Sequence, residues 1–174
     1  ARCTLGGPAA ELQRAQQLDA VCADVDVQIG LNLVSRGGAV PGTRIRALAE
    51  AHGLVLERDG RFHRRDDTGL ELYTLCNMEP AAFADEGMKE LATRGLTLLF
   101  DVARVPGGIV AFDRFVEFAR ALAEALSAAI VDDNRQPLDD AGLGKIRAQL
   151  QALYASMEQQ GIPAGGPLAL RLFS

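Results

Sequence analysis

The chain has 174 residues, 48% of them apolar and 24% charged. That is the composition of one folded domain with a single core, and it excludes a disordered chain. The formal charge is -5, aromatics make up 5% and Trp is absent. This argues against a phosphate-gripping or base-stacking protein.

The first 23 residues, ARCTLGGPAAELQRAQQLDAVCA, read as a loosely docked arm, and the folded domain is expected over 24–174. They contain no initiator Met and no signal-peptide apolar region, as expected of a fragment of something longer. From Val25 to Leu33, apolar residues alternate with Asp26, Gln28, Gly30 and Asn32, the pattern of a strand with one buried face. Ile45, Leu48, Ala49 and His52 fall at helical spacing, and Gly53 stops that helix. A second strand opens at Leu54 and continues through Phe62 and His63 after a kink at Asp59-Gly60. Asp66-Asp67-Thr68-Gly69 reads as a hairpin turn into a third strand, Leu70 to Met78. Pro80 ends it, and a turn or two of helix at most is expected before Thr93.

Gly95 opens a fourth strand, LTLLFDV, which Pro106-Gly107-Gly108 breaks. Phe112, Phe115, Val116, Ala119, Leu122, Ala123 and Leu126 form the apolar stripe of a long helix. A short strand follows at 128–131, then a helix carrying Leu143, Ile146, Leu150, Leu153, Tyr154 and Met157 on one face. The last stretch, LALRLF, is expected to add an edge strand. Strands joined by short turns favour an α+β fold, an antiparallel sheet with helices on one face.

Chemistry is sparse. Cys3, Cys22 and Cys76 are widely spaced, odd in number and lack metal-ligand spacing, which argues against a disulfide framework and for a reducing compartment. No apolar run reaches the roughly 18–20 residues of a membrane span. Pro106-Gly107-Gly108 has no phosphate-loop pattern, and Asp132-Asp133 is too few ligands for a hard cation. Cys76 has no cationic neighbour in sequence to activate its thiol. His63 lies among Arg61, Arg64 and Arg65 and reads as part of a solvated basic face without a general-base partner. No nucleophile, carboxylate dyad, metal or cofactor motif is expected, so the chain reads as a binding module and not an enzyme.

One set of motifs is more specific: NM followed by a proline and an aromatic at 77–83, G-x-T at 95–97 and VDDNR at 131–135, with Asn32 and the pair His63-Arg64. In order and spacing, these resemble the C-terminal domain of the bacterial cell-division protein ZipA, over roughly residues 24–158. The resemblance implies a split β-α-β fold, a sheet of about six antiparallel strands with three helices on one face. It also implies that the domain binds the C-terminal tail peptide of FtsZ in a shallow apolar channel on the open sheet face. Full-length family proteins carry an N-terminal membrane anchor and a Pro/Gln-rich linker, both absent from this sequence, and sit at the cytoplasmic face of the inner membrane. Cofactors and nucleic acid are not implied.

Carried over by residue, Met78 matches a channel methionine, Cys76 a small residue beside it, Leu99 a channel aromatic and Arg135 a basic residue at the channel edge. Strand parity adds Thr74, Leu72 and Thr97 to that face, with Gln28 and Gly30 from the first strand. Val27, Ile29, Leu31, Leu33, Tyr73, Leu75, Leu96, Leu98, Phe100 and Val102 then point to the helices. Family members have apolar residues at the positions of Gln28, Asp59 and Arg61, so a narrower and more polar channel is expected here. The competing reading is an RRM-like or small-molecule-sensing domain on the same scaffold. The channel-face positions of strands three and four hold no aromatic on which an RRM would stack bases.

Overall fold

The computed structural model describes residues 28–173. The arm, and Val25 and Val27 of the expected first strand, lie outside the described residues. In chain order the elements are β1 (Gln28–Ser35), β2 (Val40–Pro41), α1 (Gly42–Ala51), β3 (Val55–Leu56), β4 (Phe62–Arg65), β5 (Glu71–Asn77), β6 (Ala92–Thr93), β7 (Gly95–Asp101), α2 (Ile109–Leu126), β8 (Ala128–Val131), α3 (Asp140–Gln159) and α4 (Pro167–Leu172).

Six strands form one sheet in the order β3-β4-β5-β7-β1-β8, and every neighbouring pair is antiparallel. The helices pack on one face of it. Alternation sets which face each residue takes. Leu31 and Leu33 of β1, Leu75 of β5, and Leu96, Leu98 and Phe100 of β7 all point into the core. The stripe of α2 closes over them through Phe112, Phe115, Ala119 and Leu122, all buried. Phe100 and Phe115 meet at 5.3 Å between ring centres, and Tyr73 stacks on Phe118 at 5.2 Å. Each fully buried side chain of this kind stabilises the fold by about 1.5–3 kcal/mol.

Helix α3 starts on Asp139, whose carboxylate accepts from the Gly142 N–H at 2.8 Å. It is tied to α2 by Arg147, which donates to both carboxylate oxygens of Asp113 at 2.7 and 3.0 Å.

Three features depart from the sequence expectation. The second strand is two strands, because β3 turns back at Asp59-Gly60 and pairs with β4 as a hairpin. A small second sheet joins β2 to β6. The stretch after Pro80 stays within its expected limit: it holds turns anchored by buried Phe83 and Met88. LALRLF forms helix α4 and its C-cap and not an edge strand: Pro167 opens the helix in the first turn, where a proline costs it no hydrogen bond.

Candidate functional site

The sheet face opposite the helices is built from three rows of cross-strand neighbours. The first runs Val55, His63, Thr74, Leu99, Gly30. The second runs Cys76, Thr97, Asn32, Val131. In the third, the Met78 N–H donates to Gly95 O at 3.1 Å, and Val34 pairs with Gly95 and Ala129. Leu99, Cys76 and Met78 are half-buried, and Thr97 and Gly30 lie between them.

The polar members of the rows are locked to one another. Thr97 Oγ1 donates to Asn32 Oδ1 at 2.7 Å, and the Asn32 amide donates to Asp132 O at 3.3 Å. The Cys76 thiol points at Thr97 O, 3.5 Å away. Burial pushes that thiol up from its ordinary pKa, with Arg61 opposing, the opposite direction from the shift that activates a thiolate.

Asn77 explains why the NM-x-P motif has its form. Its carbonyl accepts from Thr93 Oγ1 at 2.7 Å and from the Glu79 N–H at 3.0 Å, and its amide donates to Ala81 O at 2.7 Å. Those bonds fix the end of β5 and hold Met78 over Gly95.

Two polar walls flank the rows. On the β8 side, Asp133 and Leu99 bracket Gly30: a Cβ there would lie 3.5 Å from Asp133 Oδ1 and 3.6 Å from a Leu99 methyl. Arg135 is exposed in the same turn, with a positive φ of 60°. The turn is closed by Asp132, which accepts from the N–H groups of Asn134 and Gln136 at 2.9 and 2.8 Å. On the other side stands the β3–β4 hairpin with Asp59 and Arg61, both exposed. Gln28 is exposed at the start of β1, opposite Asp101.

The structure thus brings Gly30, Thr74, Cys76, Met78, Thr97 and Leu99 onto one face. Gln28, Asp59, Arg61 and Arg135 lie at its margins, and Thr74 is only 4% exposed. Leu72 is a correction. The β4–β5 register shifts between Arg64 and Arg65, so Tyr73 pairs with Arg64 and Glu71 with Arg65, leaving Leu72 without an opposite residue. Such a bulge reverses the alternation beyond it. Leu72 packs against the core and lines a cavity with His52, Arg64 and Phe118 on the helix side.

His63 is a second correction. It is 7% exposed, not part of a solvated basic face. The bulge brings Glu71 to it, so its Nδ1 meets Glu71 Oε1 at 2.5 Å, while Nε2 meets Asp59 Oδ2 at 2.7 Å. Glu57 Oε2 lies 3.5 Å from the same Nε2, and the Glu57 carboxylate also receives Arg65 at 2.9 and 3.0 Å. Hydrogen bonding from Arg65 holds Glu57 below the usual carboxylate range against the opposing effect of burial. For Asp59, burial works upward, but the bonds from His63 and the Arg61 N–H outweigh it and the net direction is down.

A family model described as the ZipA C-terminal FtsZ-binding domain matches residues 27–149. The chain belongs to the ZipA C-terminal domain family. Among similar proteins, the cell division protein ZipA of Shewanella frigidimarina is 33% identical over 84 residues, 46% of this chain and 24% of the relative. That of Colwellia psychrerythraea is 31% identical over 78 residues, 42% of this chain and 20% of the relative. The ZipA of Xanthomonas axonopodis pv. citri is 24% identical over 134 residues, 74% of this chain and 55% of the relative. The chain therefore spans between 20% and 55% of the length of these ZipA proteins. Among the described residues, no helix is long and apolar enough to cross a membrane.

Proposed function

We propose that this domain is a cell-division adaptor whose open sheet face captures the C-terminal tail peptide of FtsZ. The observation that carries the reading is the placement of Met78 and Leu99, in a chain of this family, on a sheet face turned away from the helices. Side chains of this kind on an uncovered face supply the apolar contact a partner needs. An extended peptide lying along β5 and β7 would rest on Met78, Leu99, Cys76 and Thr97. Thr74 and Gly30 would form the floor, with Gln28, Asp59, Arg61 and Arg135 at the rim. The walls are carboxylates and guanidiniums, so the tail would be read by charge as much as by apolar fit.

The role is binding and not catalysis. In the whole protein, an anchor beyond this domain would hold the captured FtsZ at the inner membrane. Titrating a labelled FtsZ tail peptide against the domain tests the reading. We expect saturable binding in the micromolar range, because ordering a short peptide offsets much of the contact energy of a shallow face. NMR signals of Met78 and Leu99 should move with it. Saturating peptide with no movement of either would remove the proposal.

A further inference from the structure

The chemistry around His63 asks for a positive occupant. Three carboxylates, Glu57, Asp59 and Glu71, face it. An ionised carboxylate only accepts hydrogen bonds, and a neutral imidazole carries a single N–H. Glu71 takes Nδ1 and Asp59 takes Nε2, so one of the two short contacts lacks a hydrogen unless a further positive charge sits there. The neighbouring guanidiniums do not close the account. Arg65 is spent on Glu57, and Arg61 reaches Asp59 through its backbone N–H at 3.1 Å. Three carboxylates therefore stand against one guanidinium in contact with them.

We propose that Glu57, Asp59 and His63 form a binding site for a divalent transition-metal cation of the zinc class, with Glu71 orienting the imidazole. The geometry supports this in three ways. Nε2, Asp59 and Glu57 offer ligand atoms that all lie within 4.8 Å of one another. Ligands at about 2.0–2.2 Å in a tetrahedron stand roughly 3.3 Å apart. The Nε2 to Glu57 Oε2 separation is already 3.5 Å. Asp59 at 2.7 Å has only to withdraw by about half an ångström, and its side chain is 47% exposed, with its other oxygen on the Arg61 N–H.

Finally, Glu71 on Nδ1 is the carboxylate–imidazole arrangement that fixes the tautomer of metal-binding histidines and raises their basicity. The imidazole selects against calcium and magnesium, which want six or more oxygens or a shell of water. The fourth position is left for water or for a side chain of the captured peptide. Sequence spacing hid the site because its members come from β4, β5 and the β3–β4 turn, brought together by that hairpin and the β5 bulge.

The test is a titration of the whole chain with zinc chloride at neutral pH, read at the His63 ring protons by NMR. Saturable shifts in the micromolar range are expected, with none from magnesium chloride. Asp59→Asn, an exposed change that leaves the core untouched, should weaken zinc binding at least about tenfold, and Glu71→Gln by about 10–100-fold. Zinc bound elsewhere in the chain would not move the His63 ring. No saturable shift of that ring, or an Asp59→Asn protein that binds zinc like the parent, overturns the proposal. The cluster is then held by its own hydrogen bonds, with no metal between Nε2 and the carboxylates.

Discussion

The thioether of Met78 lies across Gly95, so closely that a Cβ on Gly95 would stand 2.3 Å from Met78 Cε and 2.8 Å from its Sδ. The glycine of the G-x-T motif is therefore the seat of the methionine of the NM motif, although they stand 17 positions apart in the chain. Most of the conflict is with the far end of a flexible side chain, so Gly95→Ala should fold and lose about 1 kcal/mol or less. Met78 would have to swing off its seat. We expect FtsZ tail affinity to fall about tenfold or more, the size of one apolar contact. Met78→Ala should lose a similar amount. Peptide titration of both variants checks this, and full affinity in Gly95→Ala would show that the position of Met78 does not matter.

Much of this arrangement was legible in the sequence. Alternation along β1 and β7 separated Leu31, Leu33, Leu96, Leu98 and Phe100 from Gly30, Thr97 and Leu99, because each strand has one face under helices. The α2 stripe was legible for the same reason at a period of 3.6. The β5 bulge was not. One unpaired residue moves Leu72 under α2 and carries Glu71 to the open face, and no residue in GLELYT announces it. The His63 cluster was hidden as a consequence, since it depends on a turn four residues upstream and on Glu71 eight residues downstream. LALRLF misled because six residues are too few to separate a period of two from one of 3.6, although Pro167 marked a helix start.

Asp113 and Arg147 make stability depend on pH in a defined direction. The Arg147 guanidinium holds the Asp113 carboxyl below its ordinary value in the folded chain. A depressed folded value means the contribution is present above the unfolded carboxylate range, near about pH 4, and is lost as pH falls through the folded value. The side chains are 42% and 43% exposed, so solvent screening keeps the effect to about 1 kcal/mol or less. Asp113→Asn should melt slightly below the parent at neutral pH, and the gap should close on acidification below about pH 4. Melting curves across that range check it. A gap that widened in acid would contradict the pairing.

Gly165 is a different kind of glycine. Its φ is +71°, and a Cβ there would stand 2.5 Å from both N and Cα of Pro106 and 2.7 Å from its Cβ. None of those atoms can move aside without moving the loop after β7. Its N–H also donates to Ala103 O at 2.9 Å, so the two loops are held at that distance. Gly165→Ala should cost more than about 1 kcal/mol and lower the melting temperature by at least a few degrees. A melting point equal to the parent's would mean that the two loops separate at no cost.

Leu98 and Leu99 are chain neighbours on opposite faces of β7. Leu98 is fully buried, paired with Leu31 and Leu75 under α2. Leu99 is half-buried on the open face between Thr74 and Gly30. Leu98→Asp would place an unpaired carboxylate in the core, costing several kcal/mol against a total of roughly 5–15. That protein should be largely unfolded, or melt far below the parent. Leu99→Asp would put its carboxylate where water reaches, so the fold should survive with a change of about 1 kcal/mol. The same change removes an apolar contact worth about 1.5–3 kcal/mol once a peptide covers it, about ten- to a hundredfold in affinity. The carboxylate also comes to lie opposite Asp133 across Gly30, which adds repulsion for any acidic peptide. Circular dichroism and a peptide titration of both proteins give the result. A folded Leu99→Asp that keeps the parent's affinity would move the binding site off β7, while a stable Leu98→Asp would contradict the register on which the whole open face is drawn.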